Sequence, residues 1–199
     1  CIRDSFEEME LGGFVNFIAF RQAVAGYNRI KEKSKPILTL IDFSKPSTEK
    51  RFFVFDMEKK QLLYSSVVSH GRNSGENYAT SFSNQNGSYK SSLGFYLTEN
   101  TYQGGNGYSL ILNGLEKGIN DKAKERSIVV HGASYANPTV AASGRLGRSL
   151  GCPALPTKLA KPIINTIKDG SVMFIYANNS SYLAQSDILK NVSAPMPAL

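Results

Sequence analysis

The sequence predicts a β-rich α+β fold with flanking helices. Three observations lead there: short apolar runs of strand length recur along most of the chain, one segment near the start carries helical periodicity, and stretches rich in Gly, Ser and Asn separate them. At 199 residues the chain can bury one ordinary core. No repeat, low-complexity tract or linker divides it. Residues 1–199 are therefore read as a single domain, with 1–10 as an N-terminal extension and 178–199 as a C-terminal tail.

Phe17, Phe20, Val24, Tyr27 and Ile30 recur at three- and four-residue steps, which predicts a helix over about 11–32 that ends before Pro36. Ile37 to Phe43 is a strand-like run stopped by Ser44-Lys45-Pro46. Residues 51–55 and 62–68 flank a polar turn at Met57 to Lys60, the pattern of a hairpin. Further strands are expected near 93–98, 108–112, 127–131 and 171–176, and a second helix near 115–125. A third helix is expected over 157–168, where Pro162 predicts a kink or a later start. The loops 70–92 and 101–107 are long enough to be functional or mobile, and Tyr102 and Tyr108 are placed on a lid over a cleft.

Composition narrows the function. Apolar residues make up 41% and charged residues 20%, the balance of a globular chain and not a disordered one. The apolar stretch from Leu11 to Phe20 is too short to cross a bilayer and lacks the flanks of a secretory signal. Cys1 and Cys152 cannot form a disulfide framework, and with only His70 and His131 no metal site is expected. Lys and Arg exceed Asp and Glu by 23 to 16, giving +7, which suits an anionic partner. The basic residues are scattered, with no arginine-rich arm or single-strand-binding aromatic motif, so nucleic acid is not expected.

Cys152 lies in Gly144-Arg145-Leu146-Gly147-Arg148-Ser149-Leu150-Gly151-Cys152-Pro153, three glycines and two arginines around one thiol. Glycine beside a nucleophile lets the backbone turn sharply and present N–H groups to an oxyanion, and nearby arginines would favour the thiolate. His131 closes the apolar run Ser127 to Val130, and a thiol needs such a base or ion-pair partner. Alone, each residue reads more readily as structural. Together they point to cysteine chemistry.

His131-Gly132, then seventeen residues after His131, then Ser149-Leu150-Gly151-Cys152 resembles the signature of the L,D-transpeptidase (YkuD-like) catalytic domain family. Gly147 to Ala154 resembles the Gly-Arg-Ser-x-Gly-Cys-Pro-Ala form of one branch, and the likeness runs from about Leu11 to Tyr176. It implies a mixed β-sandwich-like fold in which the Cys and His loops meet in a cleft. It also implies a reaction on peptidoglycan stem peptides. The thiolate attacks the carbonyl of the third residue of a tetrapeptide, D-alanine leaves, and the thioester passes to an acceptor amine. Water as the acceptor would make the protein an L,D-carboxypeptidase; a cell-wall-binding module without catalysis is the non-enzymatic alternative. No cofactor or metal is implied.

Carried over by position, Cys152 is the nucleophile, His131 its base or imidazolium partner, and Gly151 with Cys152 the oxyanion donors. Ser149 orders the loop and is a candidate to hold the His131 ring, which a main-chain carbonyl would otherwise orient. The commoner family pattern has His where this chain has Leu150, and Arg or Asn where it has Ala154. Arg148 and Arg145 are therefore the candidates for a substrate carboxylate. His70, Gly132, Ser92 and Tyr108 complete the expected substrate-binding set. Peptidoglycan chemistry implies the bacterial envelope, periplasmic or otherwise extracytoplasmic. Cys1 is the candidate for a lipoprotein anchor, the one membrane attachment expected, and Cys152 is expected to be a free thiol.

Overall fold

The computed structural model describes residues 1–192. Its frame is one mixed sheet of eight strands: β1 (Ile37–Asp42), β2 (Phe52–Asp56), β3 (Gln61–Ser66), β4 (Gly94–Gly104), β5 (Gly107–Gly114), β6 (Val129–Gly132), β7 (Ala154–Leu155) and β8 (Val172–Tyr176). Their order is β3-β2-β1-β8-β4-β5-β6-β7. The pairs β1–β8 and β6–β7 are parallel, and the others are antiparallel. Beyond β3 the chain bridges the far edge, Ser69 against Ala154 and Gly71 against Ser149. The sheet thus curls until its two edges meet in a seam, a nearly closed barrel of the α+β class expected.

Among the described residues five α-helices flank it: α1 (Ile2–Glu8), α2 (Phe17–Arg29), α3 (Pro138–Ala141), α4 (Thr157–Ile167) and α5 (Ser180–Gln185). The first predicted helix starts later than expected because Asn16 caps it, its Oδ1 accepting from the N–H groups of Ile18 and Ala19. Pro162 neither ends α4 nor delays its start. The helix expected near 115–125 is instead a chain of turns. The Asn120 amide donates to the carbonyls of Leu93 and Phe95 and its Oδ1 accepts from Glu116 N–H, so tertiary bonds outweigh local helix formation. The expected lid over 101–107 is the end of the β4–β5 hairpin, with Gln103 paired to Tyr108 and Gly104 to Gly107.

Strands β1 and β8 are buried along their length, as the continuous apolar runs of central strands require. α2 packs across β1 and α4 across β6. Phe95 of β4 stacks on Phe174 of β8 with ring centroids 4.2 Å apart. α2 can approach because position 26 is glycine: a Cβ there would stand 2.0 Å from Phe95 Cζ. The 178–192 segment, expected as a tail, is pinned by buried Glu116. That carboxylate accepts from Phe95 N–H at 2.8 Å, from the Tyr182 hydroxyl at 2.9 Å, and from Ser186.

Replacing Gly26 by Ala must displace the Phe95 ring. Overpacking of this kind costs about 1–3 kcal/mol, so Gly26→Ala should lower the urea midpoint accordingly with an unchanged slope.

Candidate active site

The short strand β6 carries His131 between β5 and β7, paired with Ser109 on one side and Ala154 on the other. The ring Nδ1 lies 3.0 Å from the Gly132 carbonyl. A carbonyl only accepts, so Nδ1 holds a hydrogen, and in the neutral ring Nε2 is the nitrogen that carries the lone pair. Among the described residues nothing bonds Nε2.

Cys152 enters from the loop before β7, two residues upstream of Ala154, and so stands beside Val129, two residues before His131. Its Sγ accepts from Val129 N–H at 3.4 Å and donates to the Ser127 carbonyl at 3.5 Å. The thiol is free and buried, with 8% of the residue exposed. Ser149 shapes the approach: its hydroxyl donates to the Cys152 carbonyl at 2.6 Å and accepts from Gly151 N–H at 3.1 Å. Its own N–H bonds the His70 carbonyl, and its carbonyl takes Arg72 N–H. Gly151 has φ +127, and a Cβ there would meet Ile128 Cδ1 at 2.8 Å, so only glycine fits this turn.

Several expected roles change. Gly151 N–H is engaged by Ser149, whereas Cys152 N–H has no acceptor among the described residues. Ser149 orders the loop and makes no bond to the His131 ring. Arg145 and Arg148, the candidates for a substrate carboxylate, both face Glu76, Arg145 Nε at 3.1 Å from Oε2 and Arg148 Nη1 at 2.9 Å from Oε1. With those guanidiniums turned to Glu76, burial dominates the thiol and pushes its pKa up, against the smaller pull of Val129 N–H and Arg126.

His70 does not line a cleft. It is fully buried, with Arg51 Nη2 2.8 Å from Nδ1 and the Gly75 carbonyl 3.0 Å from Nε2. Ser92 is spent donating to the Ser83 carbonyl at 2.7 Å and accepting from Arg126 at 2.7 Å. Gly132 faces α4, where a Cβ would stand 2.9 Å from Ala160 Cβ, so it serves packing. Tyr108 also turns to α4, its hydroxyl 2.6 Å from Asn165 Oδ1. Adjacent strand residues alternate faces, so Tyr108 lies opposite Ser109 and His131, while Tyr102, paired with Ser109, shares their face.

Two residues near the thiol were missed. Arg126 sat unremarked in a basic run, yet its Nη2 lies 3.5 Å from where a Gly151 Cβ would be. Tyr135, four residues past His131, has its hydroxyl pushed up to about 12, by burial first and by the neighbouring Cys152 second. Neither belongs to a sequence pattern that would single it out. Among the described residues no group of three or more His, Cys, Asp and Glu gathers to hold a metal ion.

A family model of the L,D-transpeptidase catalytic domain matches residues 13–176. The chain belongs to the L,D-transpeptidase catalytic domain family. The match takes in Cys152, His131 and every strand of the sheet. Similar solved structures include an L,D-transpeptidase from Mycobacterium smegmatis, at 13% identity over 71% of this chain and 59% of that one, with a TM-score of 0.43. L,D-transpeptidase 3 from Mycobacterium tuberculosis has 14% identity over 71% and 61%, with a TM-score of 0.45. The helical cell shape determining protein Pgp2 from Campylobacter jejuni has 14% identity over 81% and 55%, with a TM-score of 0.49. The chain thus spans about three-fifths of the M. smegmatis structure. A comparison with curated proteins returned no match.

Burial and the adjacent Arg51 charge hold His70 neutral in this L,D-transpeptidase domain, its pKa lowered from 6.5 to about 4. The unfolded chain then binds the proton first, so this contribution is complete above pH 6.5 and is lost as pH falls through 4. The loss amounts to about 3 kcal/mol. Urea midpoints should fall over that window in the wild type, and a His70→Gln variant should lack this component.

Proposed function

We propose that the protein is a cysteine acyltransferase acting on peptidoglycan stem peptides, an L,D-transpeptidase in activity as in family, and that it works outside the cytoplasm where that polymer lies. The observation that carries the reading is the placement of Cys152 beside β6: its sulfur bonds Val129 N–H, two residues before His131, whose ring is fixed through Nδ1 with no bond at Nε2 among the described residues. A pure binding module has no use for a thiol in so constrained a turn.

In this reading the thiol proton passes to His131 Nε2 as Sγ bonds the carbonyl carbon of the third stem residue. Cys152 N–H meets the oxygen that becomes negative. The C–N bond to D-alanine then breaks, and the imidazolium returns its proton to the leaving amine. The resulting thioester is attacked by the side-chain amine of a second stem, which forms the cross-link and restores the thiol. Burial keeps the resting sulfur protonated, which fits proton transfer to His131 during attack and not a standing thiolate. Ser149 acts on the turn and Gly132 on the ring.

The test is product analysis with disaccharide-tetrapeptide fragments. Wild type should release D-alanine and form dimers; Cys152→Ala should do neither, and His131→Ala should be slower by roughly 10²–10⁴-fold. Tripeptides without dimers would mean hydrolysis in place of transfer. Turnover by Cys152→Ala would overturn the mechanism.

A further inference from the structure

Residues 83–92 form a strap across the cysteine turn. The Lys90 carbonyl would lie 2.9 Å from a Cβ at Gly151, and Gly71 N–H beneath the strap is held by Ser91 Oγ at 3.0 Å. One side chain ties this strap down. Arg126 Nη1 donates to the Ser83 carbonyl at 2.9 Å and to Ser92 Oγ at 2.7 Å. Its Nη2 donates to the Lys90 carbonyl at 2.7 Å and to Ser88 Oγ at 3.2 Å. None of these partners is a carboxylate, so the guanidinium charge is fixed in place and left uncompensated next to Gly151.

The same residue directly precedes the segment that bonds the thiol, since Ser127 O and Val129 N–H are the hydrogen-bond partners of Sγ among the described residues. The Tyr135 phenol also lies close enough to sense the sulfur's charge, and His131 stands two residues beyond Val129 on β6. The strap's own Lys90 turns its ammonium to Ser81 Oγ at 2.7 Å. Arg145 and Arg148 share the single carboxylate of Glu76. Arg126 is thus a permanent positive charge beside the nucleophile's turn whose four bonded partners are all uncharged.

We infer that Arg126 is a positioning residue for the acyl transfer proposed above: its charge supports negative sulfur at Cys152, and its four hydrogen bonds fix the strap over it. The role rests on that reading of Cys152 as the nucleophile, yet it can be measured without any substrate. A charge fixed against Gly151, the residue before Cys152, favours the ionised sulfur whenever the proton leaves, in the reaction or in a simple alkylation.

The experiment follows alkylation of Cys152 by iodoacetamide across pH on the full chain, with peptide-level mass spectrometry to score Cys1 separately. Arg126→Met should move the midpoint of the profile up by about one pH unit, leaving the rate near neutrality about tenfold lower, and Arg126→Lys should recover most of that. A purely structural strap gives the opposite: an unmoved midpoint and faster alkylation at every pH. That result, or equal shifts in Met and Lys variants, overturns the inference. Ser88→Ala and Ser92→Ala each remove one hydroxyl partner but keep the charge, so their midpoints should stay within a few tenths of wild type. A full-unit shift in either overturns it even if the Arg126 variants fail to fold. Wild-type acylation by disaccharide tetrapeptide is measured alongside; its absence would refute the acyl-transfer reading and leave the Arg126 profile standing as its own result.

Discussion

Closing the sheet edge to edge requires a buried cation. Arg51 is fully buried, and its guanidinium donates to the Val68 carbonyl at 3.1 and 2.7 Å, to the Lys45 carbonyl at 3.1 Å, and to His70 Nδ1 at 2.8 Å. It also lies 4.8 Å from the Phe43 ring centroid. Burial lowers its pKa to about 9, with Asp42 opposing that shift. A buried charge is tolerated only when its donors are met, and here carbonyls and an imidazole meet them. Two of those groups, Val68 and His70, belong to the segment that bridges Ser149 and Ala154. The cysteine turn is thus built on the outer side of a seam whose inner side is Arg51 and His70.

The seam explains how the guanidiniums are used. Arg51 holds the inner side, Arg145 and Arg148 fasten the 71–76 loop through Glu76, and Arg126 fastens the strap. Arg29 likewise caps the carbonyls of Ile188 and Lys190. Much of the arginine in a chain of net charge +7 therefore bonds the protein's own backbone. The planar fork of arginine suits this, since one side chain can gather several carbonyls from separate loops. A surplus of positive charge read from composition alone overstates what is offered to an anionic partner.

What was legible in the sequence follows the same division. Cys152 and His131 announce themselves because glycine, serine and cysteine must sit at fixed spacing to make the turn, and His131 directly follows the apolar residues that open strand β6. The strands β1, β2 and β8 were legible for a similar reason, being buried apolar runs bounded by turn residues. His70 looked like a second His131 because both end a strand; only the edge closure, a contact between distant segments, buries one of them. Tyr108 and Tyr102 differ by which face of a hairpin they occupy, and register decides that. Arg126 was invisible because four residues of a loop distant in sequence converge on it.

In the proposed reaction Cys152 carries the acyl group. The most direct measurement is peptide-mapped mass spectrometry of the protein quenched during turnover of a disaccharide tetrapeptide. A hydroxylamine-labile adduct equal to the substrate minus D-alanine, on the peptide that contains Cys152, is the result this account predicts. The same adduct on Cys1 or on a serine, or D-alanine release with no adduct at any time point, would contradict it.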